Sequence, residues 1–535
     1  MPEFNEREYN VILHNGVDYD AFWTDLQEIT NKDGVPNRKV QIANPRLGSY
    51  RQTHYWLTDT EKEELLNHDS VLDIEIPPEQ RTDIAKSHDA FYSGSFTRNP
   101  SLSSGDKNWG LLRCNSKPNT YAGNEVVNET YDYTLDGTGV DIVIMDSGVQ
   151  TDHPEWEDIN GVTRYTTIDW GSIHTGFTQN ANHDRDNDGH GTHVAGIAAG
   201  KTFGWAKNAK IYSLKISGLE GSGDSGTGID DSYAFDAIKL WHRQKAIDPA
   251  TGYKRPTVVN MSWGYSAQFT GGSTSYAVRF RGTYYASSTI QASYGGELNH
   301  FGLNQFAANI GALGTWKHPV RVTSVDTDLE ELIDEGVHVV VASGNLNHKI
   351  DVEGGTDYNN EALIKNTTWK YYSRGSSPYS IKGFMVGSID EDQIQSGSDY
   401  VDKRSNFSSH GPGVNIYAPG SSILSAVSNT SAFARGSYYH NGSYWESILN
   451  GTSMAAPQVS GVVALYAQSS PGLTPAKMLD VVIGNCSEII YNPTEELSGS
   501  FSLQGGLPKM LHNKYGQNSP LSYSGSFTTT TDISF

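Results

Sequence analysis

The sequence predicts an α/β protein, a parallel sheet flanked by helices and preceded by a smaller α/β unit. Three observations predict it. From Val140 onward, apolar runs of strand length alternate with segments of helical periodicity, the order that builds a parallel sheet covered by helices. The first 80 or so residues repeat strand and helix patterns on a smaller scale. A stretch rich in Ser, Gly, Asn and Pro separates the two, as a linker would.

Within the first unit, Tyr9–Leu13 reads as a strand, and Tyr19, Phe22, Trp23, Leu26 and Ile29 fall on one helical stripe. Strand candidates follow at Lys39–Ala43 and His54–Leu57. Thr58-Asp-Thr-Glu61 matches a capping box, in which the Thr58 hydroxyl and the Glu61 carboxylate satisfy each other's backbone N–H groups at a helix start. Leu72, Ile74 and Ile76 alternate as on a half-buried strand that Pro77-Pro78 ends. Four strands and two helices in this order suggest a ferredoxin-like unit over residues 1–80, with a linker over 81–106.

In the larger part, Val140–Met145, Ile211–Ile216, Val258–Met261 and Val337–Ala342 are strands of buried length, and helices are expected over Ile229–Trp241 and Asp328–Asp334. Two stretches near 265–324 and 348–381 lack periodicity and are expected as long surface insertions in a domain spanning 107–490. The Gly/Ser/Thr-rich remainder, 491–535, is a tail or an appended surface element.

Composition excludes several functions. A net charge of −22 argues against a nucleic-acid partner, which would need clustered Lys and Arg. No run of about 18 apolar residues predicts a membrane span. The start, Met1-Pro-Glu-Phe-Asn-Glu-Arg-Glu, lacks the basic-then-apolar pattern of an export leader, so either the chain is not exported by that route or it begins after a removed leader. An intracellular or virion-associated setting is favoured over a secreted one. Cys114 and Cys486, the two cysteines, either form one bridge or remain two buried thiols.

Covalent hydrolysis of an amide needs a nucleophile, a base and a group that orients the base. Ile144-Met-Asp146-Ser-Gly148 puts a carboxylate at the end of an apolar strand. His190-Gly-Thr-His193-Val-Ala-Gly196 puts a histidine where a loop becomes a helix. Gly451-Thr-Ser453-Met-Ala-Ala-Pro457 puts a serine at a helix start, with Pro457 placed where backbone N–H groups are unpaired anyway. There the N–H of Ser453 can donate to a developing oxyanion, and Asn345, directly after a buried strand, can supply the second donor. Taken singly these segments are bland: an Asp after a strand is usually a turn former, and His190 with His193 has metal-ligand spacing but no third ligand nearby. Jointly, in the order Asp, His, Ser, they are far more specific.

The chain resembles the subtilases, most closely the proteinase K branch. Carrying the resemblance are Asp146–Trp156, His190–Gly196, Gly204–Lys210, Asn260–Gly264, Ser405–Ser409 with Ala418-Pro-Gly420, and Gly451–Pro457, spread over about Asn108 to Tyr466. It implies a serine endopeptidase in which Asp146 orients, His190 is the base, Ser453 attacks and Asn345 helps bind the oxyanion, with His193 structural and no cofactor required. It also implies that Gly221-Ser222-Gly223 and Ser262-Trp263-Gly264 clasp the backbone of a peptide or protein substrate. The first unit resembles a subtilase propeptide, which would inhibit until autoprocessing between 80 and 106; an unrelated adaptor domain is the alternative. Asp184, Asp186 and Asp188 before Gly189 resemble the opening of a calcium loop, although the twelfth position is Ala195 rather than Glu. The strong calcium site of the proteinase K branch has an Asp where this chain has Asn415. A non-catalytic structural or binding protein with the same fold is the competing function, and a metal-dependent hydrolase using His190 and His193 a third.

Overall fold

The computed structural model describes residues 5–87, 108–119, 129–216, 228–270, 277–295, 298–303, 305–306, 315–364, 368–396, 399–430, 437–441, 444–493 and 501–520. The first unit runs β1 (Arg7–Leu13), α1 (Tyr19–Gln27), β2 (Ile42–Asn44), β3 (Gln52–Leu57), α2 (Asp59–Leu65) and β4 (Val71–Glu75). Its sheet has the order β2-β3-β1-β4 with every neighbour antiparallel. Thr58 caps α2 in the expected reciprocal arrangement with Glu61, a device that typically contributes about 1 kcal/mol. The expected stripe on β4 is corrected: Val71 and Ile74 are buried while Leu72 is exposed. A register shift opposite Leu13 turns the strand, so simple alternation fails there.

After β5 (Ala85–Ser87), α3 (Gly110–Arg113) and β6 (Glu129–Tyr133), the body is built on β7 (Asp141–Asp146), β8 (Lys210–Lys215) and β9 (Thr257–Met261). These lie in one sheet with β15 (His338–Ala342), β18 (Phe384–Ser396), β19 (Asp399–Arg404) and β20 (Ile416–Pro419). Strands β8, β7, β9, β15, β18 and β20 pair in parallel, and β19 closes one side antiparallel. Every residue of β7, β9 and β15 is buried, which is why these strands read as unbroken apolar runs instead of alternating ones. Besides the short α4 (Trp170–Ile173), the body's helices are α5 (His190–Ala199), α6 (Asp231–Gln244), α7 (Ser287–Tyr294), α8 (Thr323–Asp334), α9 (Thr452–Ser469) and α10 (Pro475–Asn485). Helix α9 packs on α5 and on β9, β15 and β18; α6 packs on α8, and α8 carries β1 and β4 of the first unit.

The two stretches expected as long surface insertions carry secondary structure of their own. The first supplies β10 (Gly264–Thr270), β11 (Ala277–Phe280), β12 (Thr283–Tyr285), β13 (Gln305–Phe306), β14 (Thr315–Pro319), α7 and the first residues of α8. The second supplies β16 (Glu361–Ile364) and β17 (Thr368–Tyr371) and pairs with the first through β11 and β16. Apart from β10, with seven residues, these strands are too short for a period to register. A hairpin sheet of β21 (Ile423–Val427), β22 (Ser437–Asn441) and β23 (Tyr444–Leu449) packs on α5. The C-terminal stretch returns to the body: Met510 and Leu511 are buried, and β24 (Gly516–Pro520) pairs with β6.

Cys114 and Cys486 are both buried and free. Burial pushes the Cys486 thiol up to about 12 and that of Cys114 higher still, so both remain protonated thiols. Among the described residues no helix is long and apolar enough to cross a membrane.

Candidate active site

Parallel strands β7, β9 and β15 are consecutive in the sheet, each about 4.8 Å from the next. Asp146 is the last residue of β7, Ser262 follows β9, and Asn345 lies three residues beyond β15. All three therefore gather at the carboxyl edge of the sheet, where open α/β folds place their sites.

Asp146 is fully buried; its Oδ1 accepts the Ser147 N–H at 2.8 Å and lies 2.8 Å from His190 Nδ1. With the carboxylate as acceptor, Nδ1 carries the proton and Nε2 is left as the basic nitrogen. His190 opens α5, and the turn before it is laced to β7. Asp186 accepts Ser147 Oγ (2.9 Å), Gly189 N–H (2.8 Å) and Thr192 N–H (2.8 Å), while Asp188 accepts His190 N–H at 3.0 Å. The approach is so close that a Cβ at Gly191 would stand 2.1 Å from the Gly148 carbonyl oxygen, so only glycine fits.

Ser453 is the second residue of α9, where backbone N–H groups have no partner within the helix. Its Oγ lies 3.2 Å from the Ser262 carbonyl oxygen. Pro457 stands beyond the first turn, correcting the expectation that it occupies the unpaired segment. In a regular helix residue 457 would donate to the Ser453 carbonyl; proline has no N–H. The Ser262 hydroxyl donates to that carbonyl instead, at 3.0 Å, so one loop residue completes the hydrogen bonding of the serine's own backbone.

Asn345 is fixed by Thr452, whose N–H and Oγ1–H both donate to Asn345 Oδ1, at 2.7 and 2.8 Å. A backbone N–H can only donate, so the amide oxygen is assigned and Nδ2 is the arm turned the other way. Ser453 and Asn345 line a pocket with Trp263, Gly264, Ser376 and Ser409. Most of its lining residues are small, hydroxylated or aromatic, with Pro319, Leu346 and Asn345 besides. Ser409 ends one of the stretches that carry the family resemblance, whereas Ser376 escaped sequence reading because it belongs to a segment without periodicity.

Of the expected substrate strands, Ser262-Trp263-Gly264 borders Ser453 and leads into β10. Gly221, Ser222 and Gly223 lie outside the described residues. One feature was invisible in the sequence: β5, from the chain just after the first unit, pairs antiparallel with β10, setting Ser87 opposite Gly264, Lys86 opposite Tyr265 and Ala85 opposite Ser266. Lys86 Nζ reaches Asp231 and lies 5.3 Å from the centre of the Trp263 ring, and the Tyr265 hydroxyl also donates to Asp231.

The carboxylates of the acidic run before His190 are engaged by the chain itself. Asp186 is spent on the turn, Asp188 on the His190 N–H, and Asp184 packs against Tyr165, its burial holding the carboxyl above the usual range. Among the described residues no three His, Cys, Asp or Glu side chains stand close enough to hold a metal ion. His193 turns away, its Nε2 2.9 Å from the Ser447 carbonyl oxygen. Asn415 bridges backbone, accepting Met385 N–H and donating to the Gly383 carbonyl.

A sequence profile of the subtilase family matches residues 137–517. The cuticle-degrading serine protease of Arthrobotrys oligospora is 26% identical over 415 residues, 77% of this chain and 69% of that protein. Subtilisin-like protease 1 of Trichophyton tonsurans is 28% identical over 410 residues, 75% of this chain and 55% of that protein. Among solved structures, a cold-adapted subtilisin-like serine proteinase is similar at 24% identity and TM-score 0.43, covering 76% of this chain and 97% of that one. Fervidolysin from Fervidobacterium pennivorans is similar at 17% identity and TM-score 0.48, covering 96% and 61%. The chain belongs to the subtilase family of serine endopeptidases.

Proposed function

We propose that this chain cleaves peptide or protein substrates through an acyl-enzyme on Ser453 and is made as a self-inhibited precursor. Ser453 Oγ attacks the scissile carbonyl carbon while His190 Nε2 takes its proton; Asp146 Oδ1 holds the Nδ1–H and balances the imidazolium. The carbonyl oxygen, now negative, is received by the Ser453 N–H and Asn345 Nδ2. Collapse of the tetrahedral intermediate passes the proton from Nε2 to the leaving amine, and water repeats the sequence on the acyl group. This chemistry needs no cofactor.

Two observations support the reading: the Asp146–His190 bond at the carboxyl edge of the sheet, and Ser453 on the first turn of α9, lining one pocket with Asn345. The precursor reading is supported by β5, which lies on the edge of β10 in the antiparallel sense a substrate strand would take, directly after Ser262. The non-catalytic alternative gains no support: a protein that only binds has no need of Asp146, His190, Ser453 and Asn345 together.

The test compares wild type with Ser453→Ala. Wild type is expected to react with a fluorophosphonate probe and to split between residues 80 and 106, while the variant does neither. A wild-type chain that stays whole and unlabelled would refute the proposal.

A further inference from the structure

The first unit and the body have separate hydrophobic cores. What joins them is polar. Gln52 Nε2 donates to the Ser324 carbonyl at 3.2 Å, Thr323 Oγ1 to Asp73 at 2.7 Å, and Ser324 N–H to Glu75 at 2.7 Å. One contact stands apart. The chain between β2 and β3 sends Arg46 into the groove between α6 and α8, where its side chain is wholly buried. Its Nε and Nη2 straddle Asp236 at 3.0 and 3.2 Å, and Nη2 also donates to Asp328 at 2.6 Å.

On the body's side, Lys239 Nζ lies 3.1 Å from Asp236, 3.0 Å from Asp328 and 2.7 Å from Glu331. Glu331 in turn accepts Ser49 Oγ at 2.9 Å and Arg51 N–H at 3.1 Å from the inserted chain. Gly48 sits flat on α6: a Cβ there would stand 2.5 Å from the Asp236 Cα. Arg46 itself holds a left-handed backbone, φ 46°, a conformation other residues around it must enforce.

We infer that Asp236, Asp328 and Glu331 form a guanidinium receptor on the body, and that Arg46 is the key that keeps the first unit seated after the connecting chain is cut. This rests on the reading of that unit as a removable inhibitor. The charge count explains why. Three carboxylates face Lys239 and Arg46; with the first unit seated but the guanidinium removed, the three buried anions would be left with one ammonium. Withdrawing one partner from a desolvated, hydrogen-bonded charge set acts mainly on the dissociation rate. Lysine would not substitute, since a point charge cannot fork across Asp236 while also reaching Asp328.

The experiment uses the full-length chain and follows two signals together: the split by intact mass, and the appearance of activity on a chromogenic peptide. Wild type should split first and become active after a lag. Arg46→Met should split at the wild-type pace and lose its lag, with release about a hundredfold faster. Asp236→Asn should act the same way from the other side, Arg46→Lys should fall between, and the double variant should release little faster than either single one. A normal lag in Arg46→Met after normal splitting overturns the inference while leaving the precursor reading intact. If wild type never splits, the precursor reading fails by itself. The receptor is then read in full-length Ser453→Ala by hydrogen exchange along α6 and α8, where Arg46→Met and Asp236→Asn must each raise exchange at least tenfold; unchanged exchange overturns it.

Discussion

Asn345 gives the sharpest quantitative test of the catalytic proposal, because its two amide atoms have separable jobs. Oδ1 is an anchor, accepting the N–H and hydroxyl of fully buried Thr452 at 2.7 and 2.8 Å. Nδ2 is the arm assigned to the oxyanion. Asn345→Ala removes both. Losing the donor should lower kcat by about 10²–10³, or about 2.7–4 kcal/mol, with KM nearly unchanged because the oxyanion exists only in the transition state. Losing the anchor leaves buried donors on Thr452 without an acceptor, which should cost about 1–3 kcal/mol of stability. Asn345→Asp separates the two effects. One carboxylate oxygen keeps the anchor, and the second replaces a donor with an acceptor bearing negative charge. Its kcat should fall at least as far as that of Asn345→Ala, while its melting temperature stays near wild type. The assay is steady-state hydrolysis of a peptide anilide, with thermal melts in the Ser453→Ala background to prevent self-digestion. Wild-type kcat in Asn345→Asp, or a loss confined to KM, would refute the reasoning.

Three further expectations follow from particular contacts. Ser262→Ala leaves the Ser453 carbonyl without its substitute for the missing proline N–H; stability should fall by about 1–3 kcal/mol, and a melting temperature equal to wild type would contradict the assignment. Asp186→Ala removes four bonds around the turn before His190 and should lower stability and activity equally in calcium and in chelator; a loss reversed by calcium would support the calcium-loop reading. Burial pushes the Glu75 carboxyl up to about 7 where it meets the start of α8. Its folded pKa is thus above the ordinary value, so its contribution to stability is complete at low pH and is lost as pH rises through about 7. The melting-temperature difference between Glu75→Gln and its parent, both in Ser453→Ala, should shift in the variant's favour from pH 5 to pH 8, and a constant difference would count against it.

The sequence by itself determined the parts governed by local chemistry. The apolar runs of β7, β9 and β15 were legible because strands buried on both faces carry apolar residues at consecutive positions, with polar ones at the strand ends and at Asn260. The Thr58–Glu61 cap was legible because its bonds close within four residues. Asp146, His190, Ser453 and Asn345 could be singled out because each stands where a strand ends or a helix begins, and such ends follow from the chain on either side. Tertiary structure alone decided contacts between segments that carry no local trace of one another. Arg46 reaches Asp236 across 190 positions, β5 finds the open edge of β10, and Ser262 repairs the backbone bond that Pro457 cannot make. An arginine in a loop or a serine after a strand satisfies local rules wherever it goes; its partner is chosen by the packing of helices and the pairing of sheet edges, which are properties of the whole chain.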